Sequence, residues 1–100
     1  MAKILFNNVN TNQISDPFVS KGGIAVANII ADAFGTASVS LEMTTKNSQV
    51  ITNPWVPLDS GTVTENSILK LDYLPVGSMV RAVITNVDGA TLNIFVDILQ

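Results

Sequence analysis

The fold class this sequence predicts is all-β: a single small antiparallel β-sandwich, or a partly open barrel, of about seven to eight short strands. Three observations carry that expectation. Thr36–Met43 alternates without a break, with Ala37, Val39, Leu41 and Met43 on one side and Thr36, Ser38, Ser40 and Glu42 on the other. A period of two rich in β-branched and hydroxyl residues marks a half-buried strand. Turn-forming residues recur at close intervals, at Gly22-Gly23, Gly35, Asp59-Ser60-Gly61, Pro75-Val76-Gly77 and Asp88-Gly89, and they punctuate strands rather than helices. No stretch shows a convincing amphipathic helical period, and 100 residues leave room for one core only.

From the N-terminus, Ile4-Leu5-Phe6 reads as a short strand and Asn7–Gln13 as a polar loop. Residues 1–20 are therefore expected as an N-terminal arm, with the sandwich domain spanning 21–100. Gly23–Phe34 is apolar apart from Asn28 and Asp32, and its alanines and its length leave a helix as the competing reading. The glycines before it, its four β-branched residues and the turn at Gly35 favour a strand. After Thr36–Met43, Thr44–Gln49 is a polar loop. Asn53–Leu58 holds two prolines that cannot donate to a ladder, which places it at a sheet edge. Trp55 and Val56 point to opposite sides there, and Trp55, with more area to hide, is expected inside. Thr62–Glu65 suits a short strand, and Ser67–Leu74 alternates Leu69, Leu71 and Tyr73 against Lys70 and Asp72. Met79–Asn86 and Thr91–Leu99 flank Asp88-Gly89, which predicts a hairpin closed by a type I′ turn. In the last strand Leu92, Ile94, Val96 and Ile98 share a face while Phe95 and Leu99 lie on the other, so partial cover on both sides is expected.

Hydrophobic residues make up 47% of the chain and charged ones 13%, about half the usual charged share of ~25%. Disorder does not fit such a composition, and a surface so poor in charge favours association. The net charge is −3, and Lys3, Lys21, Lys46, Lys70 and Arg81 are scattered, so the clustered cations that bind a phosphate backbone are missing and nucleic acid is not expected as a partner. Nor is a membrane, since no apolar run approaches the ~20 residues a spanning helix needs, and the first residues do not resemble a signal peptide.

Reactive chemistry is equally hard to place. There is no histidine and no cysteine, which removes the usual base near neutral pH, the strongest nucleophile, disulfides and thiolate zinc sites. The acids are spread one to a strand or turn, without the facing pair a glycosidase requires. Asn86-Val87-Asp88-Gly89 is only a fragment of a calcium loop, and Gly22-Gly23 lacks the Gly-Lys-Ser/Thr of a phosphate loop. The expectation is a protein that is no enzyme and takes no cofactor or metal. Glycan binding through Trp55, Tyr73 and loop asparagines is the alternative activity.

Taken in order, the Gly-Gly-led apolar strand, Phe34-Gly35-Thr36-Ala37-Ser38-Val39-Ser40-Leu41-Glu42, Trp55-Val56-Pro57-Leu58, Leu74-Pro75-Val76-Gly77, Val80-Arg81-Ala82-Val83-Ile84 and the closing alternating strand carry a resemblance. From about Phe18 to Leu99 the chain resembles the small β-sandwich structural proteins of tailed bacteriophages, of the head decoration or auxiliary capsid type. That resemblance implies a non-enzymatic virion protein, assembled in the host cytoplasm, that binds and stabilises the head shell. Its partners would be the major capsid protein or other virion proteins, and it could self-associate. A tail- or fibre-associated module adhering to host-surface glycan or protein is the alternative it leaves open. The docking surface is expected to involve the arm, through Ile4, Leu5 and Phe6 with residues 7–20, together with Phe95 and Arg81, whose guanidinium suits a bidentate contact.

Overall fold

The computed structural model of the chain describes residues 2–44 and 54–100. Among these, nine strands and no helix occur: β1 Ala2–Val9, β2 Gln13–Ile14, β3 Phe18–Val19, β4 Gly23–Ile30, β5 Ser38–Thr44, β6 Val56–Val63, β7 Ser67–Leu74, β8 Met79–Thr85 and β9 Ile94–Leu99. They form an open, antiparallel β-sandwich. One sheet has the order β1-β9-β4-β7, and the other β2-β8-β5-β6 with β3 also pairing β8. The strand expected over residues 23–34 is thus confirmed for its first eight residues. β4 ends at Ile30, and Ala33 forms only an isolated bridge with Leu92.

The sandwich core follows from the alternation. Ala25, Ala27 and Ile29 of β4, Val39 and Leu41 of β5, Val80, Ala82 and Ile84 of β8, and Ile94, Val96 and Ile98 of β9 are all buried. Each large aliphatic side chain removed from water contributes about 1.5–3 kcal/mol. The alanines occupy β4 and β8 where larger neighbours already fill the space between the sheets, including Phe6, Phe18 and Phe34. The apparent helix former in the sequence is therefore a packing choice, since tight interiors reject surplus volume.

Several sequence expectations need correction. Asp88-Gly89 does not close a hairpin, because β8 and β9 lie in different sheets. Neither residue has the positive φ a type I′ turn requires; instead Thr91 N donates to the Asp88 carbonyl at 3.1 Å and Leu92 N donates to the Ala33 carbonyl at 2.8 Å. The chain turns a corner and joins β4's extension. Asn7–Val9 continues β1 rather than forming a loop, with Asn8 at φ 56°, a conformation Asn tolerates. Asp59-Ser60-Gly61 lies within β6, where Leu58–Gly61 together span the place opposite Leu41, between the pairs Glu42↔Pro57 and Ser40↔Thr62. Trp55 is half-buried and is absent from the core, whose aromatic filling comes from three phenylalanines. The loop expected over residues 44–49 lies, beyond Thr44, outside the described residues.

Of residues 1–20, expected as an arm, 2–19 contribute three strands to the two sheets. β1 pairs β9 from Ala2↔Leu99 to Val9↔Ile94, while β2 and β3 pair β8. Lys3 Nζ donates to the Pro17 carbonyl at 2.9 Å, tying β1 to the segment before β3.

Candidate interaction surfaces

The register assigns every outward side chain to one of two outer faces. On the four-stranded sheet the rows run Ala2–Leu99–Val26–Lys70, then Ile4–Asp97–Asn28–Ile68, then Phe95–Ile30. Directly opposed residues of an antiparallel ladder share a face, so these rows are one surface. It is apolar apart from its middle and one edge: Ile4, Ile30, Ile68 and Leu99 are exposed, Ile68 at 72%, and Val26 and Phe95 are half-buried. In the middle, Asn28 Nδ2 donates to Asp97 Oδ1 at 2.8 Å. A shallow depression at the rim is lined by Ile30, Asn66, Ser67 and Ile68.

The outer face of the other sheet is different in kind. Ser38 and Thr85 hydroxyls are 3.0 Å apart, as are those of Ser40 and Thr62. Beside them Arg81 Nε and Nη2 both lie 2.8 Å from Glu42 Oε1, and the Arg81 guanidinium stacks 4.2 Å from the centroid of the Trp55 ring. β5 and β8 place Glu42 opposite Arg81, and the chain before β6 lays Trp55 over the pair. Ile14 and Val19 are also exposed, on the short edge strands β2 and β3.

Of the five residues expected to meet a partner, the fold brings together two. Ile4, 53% exposed, and Phe95 share the apolar outer face. Phe6 is 4% exposed and belongs to the core, and Leu5 packs against it. Unbroken alternation would put Phe6 on the face of Ile4; the register shift between the two, with Leu5 at the irregularity, turns Phe6 inward opposite Val96. Arg81 lies on the opposite face, engaged by Glu42 and Trp55. Leu99, expected on the same side of the last strand as Phe95, joins Ile4 and Phe95; what sequence reasoning missed is the remainder of the apolar face: Val26, Ile30 and Ile68. Its signal was present in β4, where both faces of the alternation are apolar apart from Asn28, a pattern that strands covered on two sides share.

Asparagines expected at a glycan site are engaged within the chain. Asn66 Oδ1 accepts from Ala31 N at 2.9 Å, Asn93 Nδ2 donates to Asp32 Oδ2 at 2.6 Å, and Asn12 Oδ1 accepts from Val87 N at 3.1 Å. Trp55 lies beside β6 of one sheet, stacked on Arg81, and Tyr73 lies on β7 of the other, lining a depression with Met43 and Leu58.

At the corner after β8, Asp88 Oδ1 accepts from Ala90 N at 2.9 Å and lies 3.2 Å from the Thr91 hydroxyl. The Thr91 hydroxyl donates to the Phe34 carbonyl at 2.7 Å. Desolvation pushes the Asp88 carboxyl upward, but hydrogen bonds from Ala90, Thr36 and Thr91 outweigh it and hold the group below the ordinary carboxylate value. Gly35, at φ 57°, passes so close that a Cβ would strike the Asp88 carboxylate. This cluster locks the crossing between sheets. Among the described residues, no three Asp or Glu side chains gather to hold a metal ion.

No family model, curated protein or solved structure matches the chain.

Proposed function

We propose that this chain is a non-enzymatic structural protein of a tailed-phage virion, a decoration or auxiliary protein that adheres to the head shell through the outer face of its four-stranded sheet. The observation that supports the reading is that face: contiguous apolar side chains left in solvent mark interaction sites. Its one central polar pair, Asn28–Asp97, is already hydrogen-bonded, so covering it leaves fewer polar groups without a partner. Four strands at ~4.8 Å spacing and eight residues at ~3.3 Å rise give a footprint on the order of 500 Å². That is below the roughly 800 Å² per partner of a standard interface. A single contact is accordingly modest, and its effect comes from repetition: each copy bound to the assembled shell but not to its separated subunits shifts the assembly equilibrium by mass action.

Co-sedimentation with head shells assembled without the protein tests this. The wild type and Ser40→Lys, on the hydroxyl face, should bind, whereas Ile68→Lys and Phe95→Lys should not. Failure of the wild type to bind, or binding lost through Ser40→Lys and kept in Ile68→Lys, would overturn the proposal.

A further inference from the structure

We infer that two copies of this chain associate through β7, paired antiparallel about a two-fold axis that passes beside Leu71. The inference begins with the sheet edges, since an edge strand presents unpaired backbone groups that another strand can take. Three of the four edges are blunted. β1 is broken by two register shifts, β2 and β3 are two residues each, and β6 carries Pro57 and the irregular Leu58–Gly61. β7 differs. It runs eight residues without proline or glycine and matches β4 at five consecutive positions, from Ser67↔Ile29 to Leu71↔Ala25. Its other side has no neighbouring strand among the described residues.

The charges on β7 select the partner. Lys70 and Asp72 are both exposed and flank Leu71. A two-fold axis perpendicular to the sheet keeps outer faces on the same side, so the residue at the axis determines which side chains meet. An axis at Lys70 sets lysine against lysine, and one at Asp72 sets aspartate against aspartate. An axis at Leu69 puts Lys70 across from Ile68 and Asp72 across from Asn66. Only the axis at Leu71 places each Lys70 opposite the other copy's Asp72, twice over. Opposite charges directly across a ladder stabilise it and like charges destabilise it. The same two residues therefore repel misregistered strands and admit a second copy. Between Ala25 and Gly23 the β4 partner falls one residue short of β7, at Asp72–Tyr73. The new ladder is consequently short, about Leu69 to Tyr73, and the two charge pairs weigh heavily in it. The product is an eight-stranded sheet with both apolar outer faces on one side. This pairing is independent of what those faces adhere to.

Sedimentation velocity of the purified chain over micromolar to millimolar concentrations tests the inference. The wild type should shift from monomer towards dimer. Lys70→Asp and Asp72→Lys, each turning two attractive pairs into repulsive ones, should weaken dimerisation by about tenfold or more. An equimolar mixture of the two single variants should dimerise again. In that heterodimer one copy presents aspartate at both positions and the other presents lysine at both, so each cross-strand pair joins opposite charges. The double variant carrying both substitutions keeps the net charge of −3 and should dimerise like the wild type. A wild type that stays monomeric at millimolar concentration, dimers indifferent to both substitutions, or a mixture and double variant that fail to recover would overturn it.

Discussion

Pointing away from the core, β4 and β9 carry Val26, Ile30, Phe95 and Leu99, whereas the pairs along β5 and β8 begin Ser38↔Thr85, Ser40↔Val83 and Glu42↔Arg81. Both sheets bury an equally aliphatic inner face, so core packing does not account for the contrast. On the five-stranded sheet hydroxyls hydrogen-bond across the strands and the one large aromatic is capped by a guanidinium. Those groups are satisfied in water, and the exposed apolar side chains of that face, Ile14 and Val19, lie on its short edge strands β2 and β3. On the four-stranded sheet, apolar area remains in solvent around a single hydrogen-bonded pair. Burial against another surface would remove that area from water, and the lesson is that a sandwich can separate a wet face from an adhesive one without altering its interior.

Several substitutions break this comparison within a single strand or corner. Phe6→Ala, on the inward side of β1, should cost about 3–5 kcal/mol of stability in urea unfolding. Ile4→Ala, on the outward side of the same strand, should change stability by no more than about 0.5 kcal/mol while weakening shell binding. Gly35→Ala should destabilise by about 1–3 kcal/mol, since the added Cβ meets both a left-handed φ and the Asp88 carboxylate. Thermal unfolding of this variant measures the corner that holds the two faces in register. On the wet face, Arg81→Ala should cost on the order of 1 kcal/mol, from a partly exposed ion pair and a cation–π contact together. The paired removal Ser40→Ala with Thr62→Ala should be nearly neutral, because neither hydroxyl leaves a partner behind.

The pH dependence belongs to the corner. The Asp88 carboxyl is held below its ordinary value when folded, so its stabilising contribution is present above the unfolded value and is lost as pH falls through the lower folded one. Asp88→Asn should flatten the acid limb of the stability profile, measured as unfolding midpoint against pH, and leave its shape near neutrality unchanged.

Legibility varied with the range of the interaction. The alternation of Thr36–Met43 placed β5 and its buried side almost residue for residue. Ser67–Leu74 was bounded correctly, and the open question over residues 23–34 resolved to a strand over residues 23–30. Asp88-Gly89 misled because a dipeptide reports local φ preference and not which sheet the next strand joins. Trp55 misled for a related reason: area favours burial in general, but Phe6, Phe18 and Phe34 already fill the interior, and Arg81 offers the ring a partner outside it. Ile4 and Phe95 were found on an outer face, whereas the row-mates that make it a surface come from β4 and β7, far away in sequence.

The order of residues by itself determined the all-β class, the period of most strands and the absence of histidine and cysteine chemistry, because those depend on side-chain type and neighbours one or two positions away. Only the tertiary structure decided which strands pair, that β8 and β9 part into different sheets, and that apolar side chains gather across one outer face while paired hydroxyls and an ion pair occupy the middle of the other. The adhesive face is assembled along the strand order β1-β9-β4-β7 from pairs as distant in sequence as Ala2↔Leu99, and none closer than Ile29↔Ser67. Pairing over such separations is settled by how the two inner faces pack, and no local preference encodes it.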